Sequence, residues 1–256
     1  MTPRPYVGIS GVMSAAEADT LLLHLPPVPA RKLMVGVLTT SGILTGNGIT
    51  NPRRYPPPGR IAGIFRRDPH GRVVNLVHVA WKQQERYGSC AQQLIRAREA
   101  GGLECHGIQI NGVQLPTPGD IEVYARAFPD DRIVLQYRNL ALDTSEILMD
   151  VRRYAWTVTD VLLDGSAGEG KAYTVAGLHK VAHACAALRE HFPFLGVGFA
   201  GGLSAEAVPA IEPMLRAIPR LSVDAEGKLR DEHDQLDLPA AVRFESSVLT
   251  VVGDGA

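Results

Sequence analysis

The chain has 256 residues, 45% of them hydrophobic, which is enough to build a sizeable core. Its formal net charge is −1, and its 26 basic and 27 acidic residues are scattered, so we expect no nucleic-acid partner. Because no apolar run approaches the roughly 18 residues of a membrane helix and the three cysteines form no CxxC pair, we expect a cytoplasmic protein without a membrane partner.

Short apolar runs of β type alternate along the chain with segments of helical period. The predicted strands are residues 5–10, 32–39, 72–80, 104–110, 132–137, 159–164, 195–200 and 220–224. The predicted helices are residues 15–25, 59–68, 92–100, 119–128, 146–155, 178–192 and 206–218. Such alternation implies parallel strands joined by right-handed crossovers. Eight units in about 250 residues predict a single (β/α)8 TIM barrel, one α/β domain over residues 1–256.

One long Gly/Pro-rich stretch, SGILTGNGITNPRRYPPPG, covers residues 41–59 between the second strand and its helix. A loop of this length after a strand is more often a substrate loop or lid than a linker between domains. In a barrel, the carboxyl ends of the strands and the loops that follow them build the site. We therefore look for chemistry immediately after each apolar run.

The sixth run leads into VLLDGSAGEGKAY, residues 161–173. Asp164 ends the strand facing the mouth, where burial can raise the pKa of a carboxyl group towards neutrality and so suit it to proton transfer. The alternative is that Asp164 only caps a loop. Gly168 and Gly170 would let the backbone approach a ligand closely. The stretch is not a Walker loop, because Ala172 follows Lys171 where Ser or Thr is required.

The seventh run leads into FAGGLSAEAV, residues 199–208. Gly201 and Gly202 precede a helix that we expect to start at about Ser204. Backbone N–H groups at such a place form an anion site, and barrels often bind phosphate in the loops after strands seven and eight. The alternative is that the two glycines only tighten a turn.

In content and order, these stretches resemble the phosphoribosylanthranilate isomerases, which belong to the ribulose-phosphate-binding barrels. The family carries LLDSxxGGTGKxFDW at strand six and LAGGLxPENV at strand seven, and these motifs are the specific ones. Four supporting stretches follow the same order: GISGVMSAAEA resembles KICGITxPEDA, NPRRYPPPGRI resembles SxRYVxP, HGIQING resembles VQLHG, and SVDAEGKLRD resembles DVSSGVE. The resemblance spans nearly the whole chain.

The resemblance implies a role for each matched residue. Asp164 matches the general acid that protonates the sugar ring oxygen in an Amadori rearrangement, and Asp224 matches the aspartate that ends strand eight. Arg54 matches the arginine that binds an aromatic carboxylate through its guanidinium fork. The other matched positions imply ligands of the substrate and its phosphate: Gln109, Asn111, Gly168, Gly170, Gly201 and Gly202. We expect a small phosphorylated or carboxylated sugar derivative as substrate, with no cofactor and no metal.

The chain departs from the family at the general base. The family's cysteine is replaced by Ser10, and a serine hydroxyl needs an adjacent base to act. Asp224 and His78, near the end of strand three, are the other candidates for the base. The family's lysine is replaced by Gly8, and Glu226 places a carboxylate near the expected phosphate, where it would repel the anion unless it points away.

The sequence leaves more than one function open. The first is acid/base isomerisation, with Ser10 at the position of the usual base. The replacement of the cysteine also favours a catalytically lapsed or repurposed barrel that binds small anions. An aldolase or epimerase is a third alternative, for which Lys82 and Lys171 are the Schiff-base candidates. His179 and His183 lie one helical turn apart without the glutamate of HExxH, so we expect them on a surface face. Whether the chain forms a homodimer stays open.

Overall fold

The structure, a computed structural model, describes residues 2–49, 51–84, 87–112, 114–138, 143–165 and 173–253. Eight parallel strands each pair with the next, and the eighth pairs with the first, so the sheet closes into a barrel. Helices alternate with the strands and cover the outside. The predicted single (β/α)8 TIM barrel is confirmed.

The strands lie close to their predicted positions. They are β1 Tyr6–Ser10, β2 Lys32–Thr40, β3 Val73–Ala80, β4 Gly107–Asn111, β5 Arg132–Tyr137, β6 Asp160–Asp164, β7 Gly196–Ala200 and β8 Leu221–Ala225. The helices are α1 Ala15–Leu23, α2 Ser41–Leu44, α3 Pro58–Ile64, α4 Cys90–Ala100, α5 Pro118–Ala127, α6 Thr144–Val151, α7 Val175–His191, α8 Val208–Ala217 and α9 Leu238–Gly253. Short 3-10 turns cover Ala205–Ala207 and Gly227–Leu229.

Several elements differ from the sequence prediction. Strand β4 begins at Gly107 rather than at 104, because Glu104 and His106 bond instead to Asn75, whose amide nitrogen lies 2.8 Å from the Glu104 carbonyl oxygen. The final helix α9 was not predicted, although its buried positions recur every three or four residues and its apolar face packs beside β1. The stretch 41–59 contains the four-residue helix α2.

Alternation along the strands separates two apolar regions. One set of side chains, such as Val7, Val35 and Val37, packs between the strands and the helices. The opposite set fills the middle of the barrel interior: Tyr6, Met34, Val74, Leu76, Val134, Leu162 and Ala200. Since apolar side chains occupy the middle, the polar residues that point inward are left at the two ends of the barrel.

The amino end of the barrel is closed by a buried ion pair. The Arg132 Nε atom donates to Asp160 Oδ2 at 2.8 Å, and a second bond joins Arg132 Nη2 to Asp160 Oδ1. The same guanidinium lies 4.8 Å from the centroid of the Tyr6 ring. A Cβ atom on Gly196 would lie only 1.9 Å from Asp160 Oδ1, so β7 needs glycine at this point to leave room for the pair. The candidate site lies at the opposite end, where the strands have their carboxyl ends.

Candidate active site

A cavity of about 400 Å³ opens at the carboxyl end of the barrel. It is lined by six of the ten predicted site residues, which are Asp164, Asp224, Arg54, Asn111, Gly201 and Gly202. Two others, Ser10 and Gln109, are hydrogen-bonded to Asp224 without lining the cavity. Gly168 and Gly170 lie outside the described residues. This cavity, which we call the mouth, is the candidate active site.

Asp224, at the end of β8, is held by two donors. The Ser10 hydroxyl donates to Oδ1 at 2.9 Å, and the Gln109 side-chain amide donates to Oδ2 at 2.8 Å. Burial raises the pKa of Asp224 to about 7, the two hydrogen bonds oppose that increase, and the nearby Glu226 and Asp164 carboxyls add to it. A carboxyl group with a pKa near neutrality can both take up and release a proton at neutral pH.

Glycine at position 8 makes room for this carboxyl group. A Cβ atom there would lie 2.7 Å from Asp224 Oδ1, closer than real contacts allow. On the neighbouring strand, a Cβ atom on Gly36 would lie 2.6 Å from the Ser10 Oγ atom. A lysine, which the resembled family has at position 8, would not fit beside Asp224 in this arrangement. The replacement of the family's lysine by Gly8 therefore leaves the space that the Asp224 carboxyl group occupies.

Asp164, at the end of β6, is joined to Asp224 through two glutamines. The Gln136 amide donates to Asp164 Oδ2 at 2.8 Å, and Gln136 Oε1 accepts from the Gln109 amide at 3.2 Å. The same Gln109 amide donates to Asp224. The chain of hydrogen bonds from Asp224 through Gln109 and Gln136 to Asp164 joins strands β8, β4, β5 and β6, and so it fixes both carboxyl groups relative to each other.

Ser10 is fully buried beneath Asp224. Its hydroxyl proton points to the carboxylate, so the adjacent base that a serine needs is present. The side chain nevertheless does not line the mouth, and its contact is with Asp224. The structure thus places Ser10 where it orients Asp224, and a catalytic role for Ser10 itself stays a prediction.

His78, on β3, lines the mouth and is 4% exposed. Neither ring nitrogen makes a well-formed hydrogen bond among the described residues, although the Gln136 side chain is close enough to interact with the ring. Burial lowers the pKa of His78 to about 4, Arg138 adds to the decrease and Asp164 opposes it. The imidazole is therefore neutral at neutral pH.

The Arg54 guanidinium forms ion pairs with two carboxylates of the chain itself. Its Nη1 atom lies 3.3 Å from Glu226 Oε1, and its Nη2 atom lies 2.6 Å from Asp234 Oδ1. Asn51 also donates to Asp234, at 2.6 Å, so the end of the stretch 41–59 is bonded to the loop after β8. Glu226 lines the mouth but its carboxylate is directed at Arg54, which offsets the repulsion expected for a bound phosphate.

The loop after β7 carries the two glycines of the predicted anion site. Gly201 and Gly202 have φ values of 115° and 62°, a backbone region that favours glycine. Ser204 precedes a 3-10 turn without a side-chain capping bond, and α8 begins only at Val208, four residues after the predicted start. Lys228, in the loop after β8, lines the same cavity and supplies a cation near the glycines.

The mouth residues that were not predicted from the sequence include Gln136, Arg138 and Lys228. Gln136 could have been found, because it is two residues after Val134, whose side chain lies in the barrel interior, and so points inward. Arg138 lies just beyond the apolar run that marked β5, and Lys228 follows Gly227 in a turn; neither position carries a periodic signal. Lys82, an aldolase candidate, does not line the mouth, and Lys171 lies outside the described residues.

Other predicted features lie away from the mouth. The His183 ring bonds to the Thr144 hydroxyl at 2.8 Å, on the outer face of α7. Across the described ranges, no group of three or more His, Cys, Asp or Glu side chains is placed to hold a metal ion. Within those same ranges, no helix has the length and apolar character needed to cross a membrane.

Comparison with known proteins shows the fold. No protein-family model and no curated protein sequence matches the chain. Among solved structures, it matches triosephosphate isomerase from Bartonella henselae with a TM-score of 0.52 and 9% identity, over 98% of this chain and 100% of that one. A chitinase domain from Pyrococcus furiosus matches with a TM-score of 0.61 and 10% identity, over 99% and 97% of the two chains.

The Rubisco of Pyrococcus horikoshii matches with a TM-score of 0.60 and 14% identity, and here the likeness covers 99% of this chain but only 60% of that one. An isomerase, a carboxylase/oxygenase and a chitinase are enzymes of unlike kinds, as expected for a barrel that serves many chemistries. At these identities the likeness establishes that the chain is a TIM-barrel protein, and its function has to be inferred from the mouth.

Proposed function

We propose that the protein is an acid/base isomerase of a small phosphorylated sugar derivative, similar in reaction type to the phosphoribosylanthranilate isomerases. One observation carries the proposal: two buried carboxyl groups, Asp164 and Asp224, open into one cavity and are joined through two glutamine amides. Paired carboxyl groups in different surroundings are the usual means of combining an acid and a base in one site.

Asp164 and Asp224 take opposite roles in this proposal. Asp164 gives a proton to the sugar ring oxygen as the C1–O bond opens. Asp224 removes the proton from C2, and the resulting enol rearranges to the ketose derivative as the protons are returned. No net oxidation occurs, since the hydrogen lost at C2 is balanced by the hydrogen gained at C1. Proton transfers of this kind contribute roughly 10²- to 10⁴-fold each to a rate.

The anion of the substrate is held at the β7 side of the mouth. Gly201 and Gly202 offer backbone positions without side chains, and Lys228 offers a positive charge. The ion pair between Glu226 and Arg54 limits the repulsion that Glu226 would otherwise exert. These features support a substrate phosphate at this end of the mouth. The carbon chain of the substrate would then pass over Asp164.

The test replaces each carboxyl group in turn. We expect Asp164→Asn and Asp224→Asn to slow incorporation of solvent deuterium at C1 of the ketose product, from a panel of aldose phosphates that includes phosphoribosylanthranilate, by at least about 100-fold. This exchange is followed by NMR, and binding of the same compounds by calorimetry should be nearly unchanged. Asp19→Asn, which alters an exposed ion pair with Arg66, is the matched control. Undiminished exchange in both mouth variants would refute the assignment.

One observation favours the second candidate, a barrel that binds small anions without catalysis. Arg54, the arginine that the resemblance assigns to the substrate, is already bonded to Glu226 and Asp234. This candidate predicts that the wild-type protein binds phosphate compounds but exchanges no deuterium into any of them. The same NMR experiment therefore separates the two candidates.

A further inference from the structure

The β3–β5 side of the mouth presents polar atoms that the proposed reaction does not use. Three side chains on successive strands contribute them: His78 from β3, Asn111 from β4 and Arg138 immediately after β5. Both ring nitrogens of His78, Asn111 Oδ1 and Arg138 Nε are buried and make no well-formed hydrogen bond among the described residues.

The opposite side of the mouth has a different character. Asp164 accepts from Gln136, Asp224 accepts from Ser10 and Gln109, and Glu226 pairs with Arg54. Buried polar groups in native proteins are nearly always bonded, and leaving one unbonded costs as much as losing a hydrogen bond. A run of such groups along three adjacent strands, all opening into one cavity, indicates that a ligand supplies the partners.

The chemistry of the three groups specifies the ligand. A neutral imidazole donates from one nitrogen and accepts at the other, and burial keeps His78 neutral by lowering its pKa to about 4. A hydroxyl group is the complement of such a ring, and it can also donate to Asn111 Oδ1. Arg138 offers donors only and carries a permanent charge, so its complement is an anion.

On this side of the mouth, Arg138 is a cation that could receive such an anion. No carboxylate of the described residues forms an ion pair with it, whereas Arg54 is bonded to both Glu226 and Asp234. A single planar guanidinium matches the two oxygens of a carboxylate, and no glycine pair or helix start accompanies it as Gly201 and Gly202 accompany the phosphate position. A carboxylate is therefore the better complement at this end.

The spacing of the strands sets the length of the ligand. Strand β6, which ends at Asp164, lies between β5, which precedes Arg138, and β7, which precedes Gly201. Two strand spacings separate the two anion positions by about 10 Å. A hydroxylated chain of several carbons bridges that distance and passes Asp164 on the way.

We propose that His78, Asn111 and Arg138 form a second subsite, which binds the hydroxyl groups and the carboxylate of a ligand whose phosphate lies beside Gly201 and Gly202. The proposal rests on the proposed function for the position of the phosphate. It adds a ligand class, a hydroxylated carbon chain with a phosphate at one end and a carboxylate at the other, and assigns the carboxylate to Arg138 rather than to Arg54.

Three matched probes test the subsite by calorimetry on the full chain. 6-Phosphogluconate carries both anions, sorbitol 6-phosphate lacks the carboxylate, and gluconate lacks the phosphate. Wild-type protein should bind 6-phosphogluconate more tightly than either of the others. Arg138→Gln should weaken 6-phosphogluconate by roughly 10- to 100-fold, the effect of losing a charge-assisted bond, and leave sorbitol 6-phosphate within about twofold.

Two further variants locate the hydroxyl contacts. His78→Phe and Asn111→Leu should weaken the binding of all three hydroxylated probes and leave the binding of inorganic phosphate unchanged. Arg126→Gln, which removes an exposed arginine of α5, is the control and should change nothing. Circular dichroism of each variant establishes that it is folded, and Arg138→Lys, which keeps the charge, should recover part of the lost affinity.

Three outcomes would overturn the subsite: equal wild-type affinity for 6-phosphogluconate and sorbitol 6-phosphate, an equal loss for both probes in Arg138→Gln, or no binding of any probe at millimolar concentration. The test is separable from that of the proposed function because it needs no turnover. Selective binding without deuterium exchange would keep the subsite and refute the isomerase, and exchange without selectivity would do the reverse.

Discussion

Strands β5 and β6 carry two acid–partner pairs, one at each end of the barrel. At the amino end Arg132 binds Asp160 through two hydrogen bonds, and four residues further along each strand Gln136 binds Asp164 through one. Both carboxyl groups are almost fully buried. A guanidinium fixes the charge on its carboxylate, whereas an amide fixes only its position. The pair at the amino end can serve structure alone, whereas the pair at the mouth holds the Asp164 carboxyl group in place beside the cavity.

The largest expected effect comes from breaking the pair at the amino end. Arg132→Gln leaves Asp160 buried and without its cation, which typically destabilises a protein by up to about 5 kcal/mol. Urea unfolding measures this loss. Deuterium exchange per folded molecule should not change, because the ion pair is at the end of the barrel away from the mouth.

Arg126→Gln is the matched control, because its ion pair with Glu122 is exposed and should matter far less. A variant of Arg132 that kept full stability, or one that stayed folded but lost exchange, would contradict the division of the barrel into a structural and a reactive end.

The second expected effect is a dependence of stability on pH that originates at the mouth. Burial raises the pKa of Asp224 from 3.8 to about 7, so the folded protein holds this proton more tightly than the unfolded chain does. Between those two values the folded state binds more protons, and the free energy of unfolding falls as pH rises. The decline amounts to about 4 kcal/mol and ends above pH 7.

Asp224→Asn should remove that decline between pH 4 and pH 7, as measured by urea unfolding at a series of pH values. Glu245→Gln is the comparison, because Glu245 is a buried carboxyl group of α9 whose pKa burial raises to about 8. That variant should remove a separate decline that extends one unit higher and leave the part from Asp224. An unchanged profile in Asp224→Asn would show that the carboxyl group stays charged in the folded protein.

Much of the fold could be predicted from the sequence, because each strand is specified by a local apolar run. The eight runs gave eight strands, and inspecting the carboxyl ends of β6, β7 and β8 was sufficient to find Asp164, Gly201 and Asp224. Helix α9 has an equally local signal in the spacing of Ala241, Phe244 and Val248, which the prediction did not use.

The bonds within the mouth could not be predicted in this way. Ser10 and Asp224 are 214 positions apart in sequence, and Gln109 and Asp224 are 115 apart. Only closure of the barrel brings them together, so a resemblance names the residues without saying which of them face the cavity. The ion pair between Arg54 and Glu226 could not be predicted for the same reason, because it joins the loop after β2 to the loop after β8.

The smallest expected effect sharpens the contrast between a glycine that the mouth requires and one that it does not. In Gly8→Ala the new Cβ atom would lie 2.7 Å from Asp224 Oδ1 and 2.7 Å from the end of Met34. Met34 is flexible at that point, but Asp224 is held by Ser10 and Gln109, so its carboxyl group must move. We expect a loss of about 1–3 kcal/mol in the free energy of unfolding, together with slower exchange.

Gly63→Ala is the matched substitution in helix α3, where no atom lies within 4 Å of the new Cβ atom. It should stabilise the protein by about 0.4–1 kcal/mol, because alanine lowers the conformational entropy of the unfolded chain. Urea unfolding and deuterium exchange on both variants decide the point. If Gly8→Ala behaved like Gly63→Ala, the carboxyl group of Asp224 would have room to spare, and the absence of a side chain at position 8 would not be what positions the proposed base.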